Sequence, residues 1–129
     1  MRRAGSIATL AALVAVQAVA AQSVRTVNDE DTVQAGVATL RGLDTLNGVA
    51  RDLRLPVGAT VEFGHLEITV DICRVPRADP AADAFAFLRV RDVRETEPRF
   101  SGWMFASSPA LSALDHPRYD VWVVSCSSS

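Results

Sequence analysis

The sequence predicts an all-β protein, a small antiparallel sandwich or barrel of about seven short strands with one short helix near the C-terminus. The first observation is a period-two pattern: Leu66, Ile68, Val70 and Ile72 share one face of an alternating run, as in a half-buried strand. The second is that glycine, proline and asparagine recur between such runs. Since no alternation of strands with long helices is visible, a parallel βαβ architecture is not predicted.

Strands are predicted at residues 37–44, 49–55, 60–63, 66–73, 84–93, 100–106 and 121–126. Asn47-Gly48 lies between the first two strands and is a strong hairpin signal, because both residue types tolerate positive φ. Gly64-His65 fits a two-residue hairpin loop between the third and fourth strands.

One helix is predicted at residues 109–115. Ser108 suits an N-cap, and Pro109 suits the first helical position. Leu111 and Leu114 are three residues apart, so we expect both to face the core.

Length and charge indicate a single domain and exclude one class of function, nucleic-acid binding. It has 129 residues and a net charge of −2 from 13 basic and 15 acidic side chains, and domains usually contain about 100–150 residues. We expect no nucleic-acid binding, because that function requires a concentrated basic surface.

The first 21 residues are typical of a secretory signal peptide. Arg2 and Arg3 precede an almost wholly apolar run of about 15 residues. Ala18-Val19-Ala20 fits a signal-peptidase site, and Val19-Ala20-Ala21 fits nearly as well. The alternative is an uncleaved anchor, but a spanning helix needs about 20 residues. We therefore expect export to the periplasm, with no transmembrane segment after cleavage. Three further regions are then expected: a flexible polar leader at 22–36, the β-domain at 37–126 and a tail at 127–129.

The two cysteines, Cys73 and Cys126, predict one disulfide. An even number of cysteines in an exported chain favours a bridge, and each cysteine ends an apolar strand-like run. A structural link between two strands is expected here, since a redox-active pair is more often a close Cys-x-x-Cys.

The C-terminal part of the sequence is distinctive. The segment from Phe100 to Cys126 reads FSGWMFASSPALSALDHPRYDVWVVSC, and it is accompanied by LPVG at 55–58, FG at 63–64 and AADAF at 81–85. With these motifs, residues 38–126 resemble the bacterial domain of unknown function 2155. The resemblance implies an exported protein of Gram-negative bacteria and supplies no catalytic residues.

Ser107, Ser108, Asp115 and His116 raise the possibility of a hydrolase, but the sequence does not favour one. A catalytic triad needs its three groups within hydrogen-bonding reach, and no Gly-x-Ser-x-Gly motif is present. Only two histidines, His65 and His116, could join acidic residues around a metal. Since structural zinc sites use four ligands, we predict neither a metal nor a cofactor, and no catalytic residue.

Recognition is the expected activity. Trp103, Ser107, His116 and Tyr119 are the candidate binding residues, because tryptophan and tyrosine combine a large rigid area with a polar tip. The alternative for the aromatic residues is a place in the core. The acidic and basic residues at 89–99 are interpreted as a solvated mixed face.

The leading hypothesis is a periplasmic, non-catalytic binding or assembly module whose partner is an envelope protein or a cell-wall component. One alternative is an envelope hydrolase that uses His116 with a serine or carboxylate partner. The other is a structural accessory subunit of an envelope complex.

Overall fold

The computed structural model describes Gly5, residues 10–15, Val27 and residues 29–129. Within residues 29–129 the chain forms two antiparallel sheets. Most of the predicted signal peptide and of residues 22–28 lies outside these described residues. The strands are β1 (Thr32–Gln34), β2 (Val37–Asp44), β3 (Val49–Pro56), β4 (Thr60–Phe63), β5 (Leu66–Pro76), β6 (Phe85–Asp92), β7 (Phe100–Phe105) and β8 (Tyr119–Ser127). The predicted all-β class is confirmed. No helix among the described residues has the length and apolar character needed to span a membrane.

The five-stranded sheet is built around the long strand β5. β1 and β4 pair with different parts of β5, and β6 and β7 follow on its other side. The three-stranded sheet has the order β3-β2-β8. Period-two alternation points one side of each strand towards the space between the sheets.

The core lies between the two sheets and is almost entirely aliphatic. Its fully buried side chains include Leu40, Leu66, Ile68, Val70, Leu88, Val90, Met104, Val121 and Val123. The predicted alternation is confirmed for Leu66, Ile68 and Val70 in β5 and for Leu88 and Val90 in β6. Ile72, predicted on the same face, is only half-buried, because the register shifts between Val70 and Ile72 and Cys73 becomes buried instead.

The prediction that residues 22–36 form a flexible leader is wrong for their last part. Thr32–Gln34 is a strand that pairs with residues 74–76 of β5. Arg74 holds it in place: its Nε donates to Thr32 Oγ1 at 2.6 Å and its Nη2 to the Thr32 carbonyl at 3.0 Å. The strand was missed because β5 was expected to end at residue 73, which would leave β1 without a partner.

The predicted helix at 109–115 is also wrong, since only a 3₁₀ turn at Pro109–Leu111 forms. Ser108 precedes it without a side-chain capping bond. Leu111 is 63% exposed, whereas Leu114 is buried. Lone cap and proline signals cannot sustain a helix of about seven residues, because so short a helix depends on packing of a continuous apolar face.

The predicted hairpins form at the predicted places. β2 and β3 are joined by residues 45–48, and Gly48 has φ +66°. β4 and β5 are joined by Gly64-His65, with Gly64 at φ +56°. Asn47 and His65 keep negative φ, so only the glycines use the left-handed region.

Gly64 is expected to tolerate no side chain. A Cβ there would lie 2.6 Å from Cζ of the Tyr119 ring and would also clash with its hydroxyl. Gly64→Ala should lower the free energy of unfolding by roughly 3 kcal/mol, because a clash is added to the cost of a positive φ. Urea denaturation monitored by circular dichroism measures this loss.

Gly48→Ala is the matched control. Gly48 has a similar φ of +66°, yet a Cβ there meets no atom within 4 Å. The control should lose only about 1 kcal/mol, the cost of the backbone conformation alone. Equal losses in the two variants would show that the contact between Gly64 and Tyr119 has no energetic weight.

The predicted disulfide is confirmed and joins the two sheets. Cys73 lies in β5 and Cys126 in β8, with their Cα atoms 5.9 Å apart and a sequence separation of 53 residues. Both residues are buried. The bridge therefore closes one end of the sandwich covalently.

Candidate functional site

A polar cluster closes the other end of the sandwich. Asp92 is the last residue of β6, and His116 lies in the connection between β7 and β8. Their side chains are 1% and 2% exposed. Since Leu66 of β5 pairs with Asp92, the cluster and Cys73 are seven residues apart along β5, or about 23 Å.

Asp92 is held as a carboxylate by several donors. Arg94 donates from Nε at 3.0 Å, from Nη2 at 2.8 Å and from its main-chain N–H at 2.9 Å. His116 Nε2 lies 3.0 Å from Asp92 Oδ2. The bidentate Arg94 guanidinium, then the Arg94 main-chain N–H and the His116 contact, hold the pKa of Asp92 far below its ordinary value despite burial.

His116 has its tautomer fixed by the backbone. Nδ1 accepts the main-chain N–H groups of Arg118 at 3.0 Å and Tyr119 at 3.2 Å. An Nδ1 that accepts two donors carries no proton, so in the neutral ring the proton is on Nε2 and is donated to Asp92. The imidazole thus links the end of β6 to the start of β8.

A second ion pair extends this link to the three-stranded sheet. Arg118 donates to both carboxylate oxygens of Asp44, at 3.0 and 2.9 Å. Asp44 also accepts the main-chain N–H of Leu46 at 3.1 Å. The Arg118 hydrogen bonds, together with those from the turn, lower the pKa of Asp44 to about 2. We call Asp92, Arg94, His116, Arg118 and Asp44 the polar clamp.

The polar clamp has the residue types of a catalytic or metal site without a free reactive group. Asp92, Glu95 and His116 lie close enough to ligate one cation. However, Arg94 and Arg99 pair with the two carboxylates at 2.8 and 2.7 Å, and the protonated Nε2 of His116 offers no lone pair. In this arrangement the groups bind one another, and they do not fit a metal.

The same hydrogen bonds exclude His116 as a general base in this conformation. A general base needs an unprotonated nitrogen directed at a nucleophile, and the only such nitrogen, Nδ1, accepts two main-chain donors. Ser107 lies elsewhere: its Oγ donates to Asp83 at 2.6 Å, and its main-chain N–H donates to the same carboxylate at 2.9 Å.

Two candidate binding residues are not surface residues. Tyr119 is 2% exposed, and its ring packs edge-on against Phe63 with centroids 5.8 Å apart. The His116 side chain is buried in the polar clamp. Placing these two side chains on a recognition surface was therefore wrong. Tyr119 points inward because it shares strand parity with the buried Val121 and Val123.

Ser107 and Trp103 remain accessible to different degrees. Ser107 is exposed and Trp103 half-buried. The Trp103 ring lies on the outer face of the five-stranded sheet, edge-on to Phe87 with centroids 5.6 Å apart. Trp122 is half-buried, packs against the core, and lines a shallow groove of about 550 Å³ beside Pro109, Ala110 and Ala113.

Strand parity could have revealed the two buried aspartates. Asp92 follows Leu88 and Val90 on the inner face of β6, and Asp44 follows Ala38 and Leu40 on the inner face of β2. Interpreting residues 89–99 as a solvated face was wrong for Asp92, although Arg89 and Arg91 are exposed. An aspartate that ends an inward-facing series signals a buried carboxylate with a cationic partner.

Because of the polar clamp, the stability of the folded domain should fall at acidic pH. Because folding lowers the pKa of Asp44 to about 2, its contribution is complete above the ordinary aspartate pKa of about 3.9 and is lost as the pH falls towards 2. Asp92 extends the loss to lower pH, since its pKa is lower still. Thermal melting at pH 7, 4, 3 and 2 should show the decline beginning near pH 4.

Asp44→Asn should flatten the decline between about pH 4 and pH 2, because an amide does not titrate in this window. Asp52→Asn is the control, since the pair of Asp52 with Arg41 is exposed on both sides and is screened by solvent. An unchanged pH profile in Asp44→Asn, or an equal change in the control, would contradict this assignment.

The fold and site define a class of protein: a two-sheet β-domain closed at one end by a disulfide and at the other by the ion pairs of two buried aspartates. The chain belongs to the family described as "Uncharacterized protein conserved in bacteria (DUF2155)", whose model matches residues 38–126. The resemblance stated from the sequence is confirmed.

Among curated proteins, the chain is similar to "Uncharacterized protein RP359" of Rickettsia prowazekii (strain Madrid E). The two are 26% identical over 88 residues, which cover 65% of this chain and 56% of the relative. The chain thus spans about half the length of the curated relative that it matches. No solved structure gives a significant match.

Proposed function

We propose that this protein is a non-catalytic binding or assembly module of the bacterial cell envelope, exported to the periplasm. The observation that carries the proposal is that the hydrogen-bonding groups of Asp92 and His116 are already used within the polar clamp. His116 and Asp92 use their polar atoms to join the two sheets. The group most similar to a catalytic dyad therefore has a structural role.

The proposed location is supported by the disulfide and by the N-terminal sequence. A bridge between Cys73 and Cys126 persists in an oxidising space such as the periplasm and is rare in the cytosol. The first 21 residues have the layout that directs export.

The surfaces proposed for binding carry the two tryptophans. Trp103 lies on the outer face of the five-stranded sheet, and Trp122 lies in the groove beside the 3₁₀ turn. Half-exposed tryptophan is enriched in recognition surfaces, because it buries a large rigid area on binding. An envelope protein or a cell-wall component is the expected partner.

Photo-crosslinking in living cells tests the proposal. Benzoylphenylalanine is placed at Trp103, at Trp122 and, as a control, at the exposed Arg54 of β3. Adducts at one or both tryptophan positions and none at Arg54 are expected. Equal labelling at all three positions, or no adduct at any, would contradict a specific binding surface.

The hydrolase alternative has a separate test. The purified protein is assayed with ester, amide and phosphoester substrates beside His116→Asn, whose amide oxygen can still accept the two main-chain N–H groups. We expect no turnover above background from either protein. Turnover by the wild type that His116→Asn abolishes, with the fold retained, would overturn the non-catalytic proposal.

A further inference from the structure

The outer face of the five-stranded sheet carries a groove of about 420 Å³. Its lining residues include Thr60, Glu67, Thr69, Arg89, Arg91 and Ser101. We call this the outer groove. It is separate from the polar clamp, which lies between the sheets, and from the groove beside Trp122 on the other sheet.

A continuous polar row crosses the outer groove. Thr60 pairs with Thr69, Thr69 with Arg89, and Arg89 with Ser101. Directly opposed residues on neighbouring antiparallel strands point to the same face. The two threonine hydroxyls are 2.8 Å apart. Hydroxyl and guanidinium groups therefore line one surface that runs from β4 to β7.

The charges around this row are paired but remain accessible. Arg89 Nε and Nη2 bind the Asp71 carboxylate at 2.6 and 3.0 Å, and Arg91 Nε binds Glu67 at 2.9 Å. The two arginine side chains are 57% and 51% exposed. The pairing fixes the side chains while leaving further guanidinium donors and carboxylate lone pairs towards solvent.

This balance points to an uncharged polar ligand. The two ion pairs carry no net charge, and Glu62, which lies directly opposite Glu67, adds one negative charge to this face. An anion is therefore disfavoured, and the single exposed carboxylate offers a cation only a weak attraction that is screened by solvent. Donors and acceptors alternate at short spacing, which suits sugar hydroxyls, because each hydroxyl both donates and accepts. A neutral saccharide is therefore the ligand class with matching chemistry.

An aromatic surface adjoins the polar row. Phe87 and Trp103 are cross-strand neighbours on the same outer face, two residues along β6 and β7 from Arg89 and Ser101. Phe87 and Trp103 are both half-buried. The apolar C–H face of a sugar ring can pack on an aromatic ring while its hydroxyls reach the neighbouring polar groups.

We propose that the outer groove binds a neutral glycan chain, with sugar hydroxyls on Arg89, Arg91 and their carboxylate partners and a sugar face on Trp103. This proposal rests on the proposed binding function and commits it to the glycan component of the envelope. A protein partner at this face is the rival outcome.

Isothermal titration of the oxidised protein with chitohexaose and cellohexaose tests the proposal. Binding of at least one of these neutral oligosaccharides is expected, weakened tenfold or more by Trp103→Ala and by the double substitution Arg89→Gln with Asp71→Asn. The double substitution leaves the net charge of the face unchanged and keeps its hydrogen-bonding groups, so the loss reports on the charged donors and acceptors. Melting curves confirm that each variant folds.

Arg41→Gln with Asp52→Asn is the matched control, since it replaces a similarly exposed ion pair on the other sheet and should leave glycan affinity unchanged. Equal weakening by the control double substitution, or displacement of the oligosaccharide by heparin at low concentration, would overturn the assignment of a neutral-glycan site. No binding of either oligosaccharide, combined with a protein adduct at Trp103 in cells, would replace the glycan by a protein partner and leave the proposed function standing. No binding together with no adduct at either tryptophan would reject both.

Discussion

Replacing Cys73 and Cys126 together by alanine is expected to lower the free energy of unfolding by about 4 kcal/mol. The bridge closes a loop of 53 residues, and in the chain-entropy model a loop of that length restricts the unfolded chain by roughly this amount. Domains of this size have total stabilities of only about 5–15 kcal/mol. The double variant should therefore be partly unfolded at physiological temperature.

Urea denaturation of the wild type with and without reductant provides the matched comparison. The reduced wild type and the double alanine variant should unfold at similar urea concentrations, both far below the oxidised protein. A loss of under about 1 kcal/mol in both would show that the sheets stay together without the covalent link.

His116→Ala is the second change with a large expected effect, a loss of about 3–5 kcal/mol. It removes a buried ring, leaves the main-chain N–H groups of Arg118 and Tyr119 without their acceptor, and takes one donor from Asp92. Each buried donor left without a partner costs about 1–3 kcal/mol, and the vacated space adds a cavity cost.

His116→Asn separates the roles of the two ring nitrogens. The asparagine oxygen can replace Nδ1 as the acceptor of main-chain donors two and three residues ahead, while the contact with Asp92 is lost. This variant should recover about half of the stability lost in His116→Ala. Equal losses in the two variants would contradict the backbone-acceptor role assigned to Nδ1.

The disulfide and the polar clamp, at the two ends of the sandwich, should contribute independently to the free energy of unfolding. The disulfide and the polar clamp are about 23 Å apart along β5, and effects of sites this distant usually add within about 0.5 kcal/mol. This separation explains how a small domain holds two sheets together although the core between them is only one layer of aliphatic side chains from each sheet.

The parts of the fold that the sequence predicted are those with a local, repeated signal. Leu66, Ile68 and Val70 alternate without interruption, and glycine follows Asn47 at the first hairpin, so period and turn chemistry agreed. The disulfide could be predicted without any geometric information, because two cysteines allow only one pairing. The first two signals depend on neighbouring residues and the third on the number of cysteines, so a single sequence contains all three.

The missed features depend on contacts between distant residues. β1 exists because β5 continues to Pro76 and Arg74 binds Thr32, a contact across 42 residues that no local pattern contains. The polar clamp joins Asp92 to His116 across 24 residues and Arg118 to Asp44 across 74. Only the parity of the two aspartates indicated that they face inward.

The candidate surfaces were partly predictable for the same reason. The sequence did not decide between core and surface for Tyr119, because the last strand was predicted to begin at Val121. The strand begins two residues earlier, at Tyr119, and this places the tyrosine inside. Trp103 and Trp122 alternate with the buried Met104, Val121 and Val123. Both tryptophans lie within predicted strands, so parity alone would have placed them, and only Tyr119 required a strand that begins two residues earlier.

Intact-mass measurement of the protein isolated from its own bacterium tests the central claim, an exported domain clamped by its disulfide. The predicted species comes from the periplasmic fraction, begins after Ala20 or Ala21, and lacks two hydrogens relative to the reduced chain. A full-length 13.8 kDa chain in the cytosolic fraction, with Cys73 and Cys126 both alkylated without reductant, would contradict it.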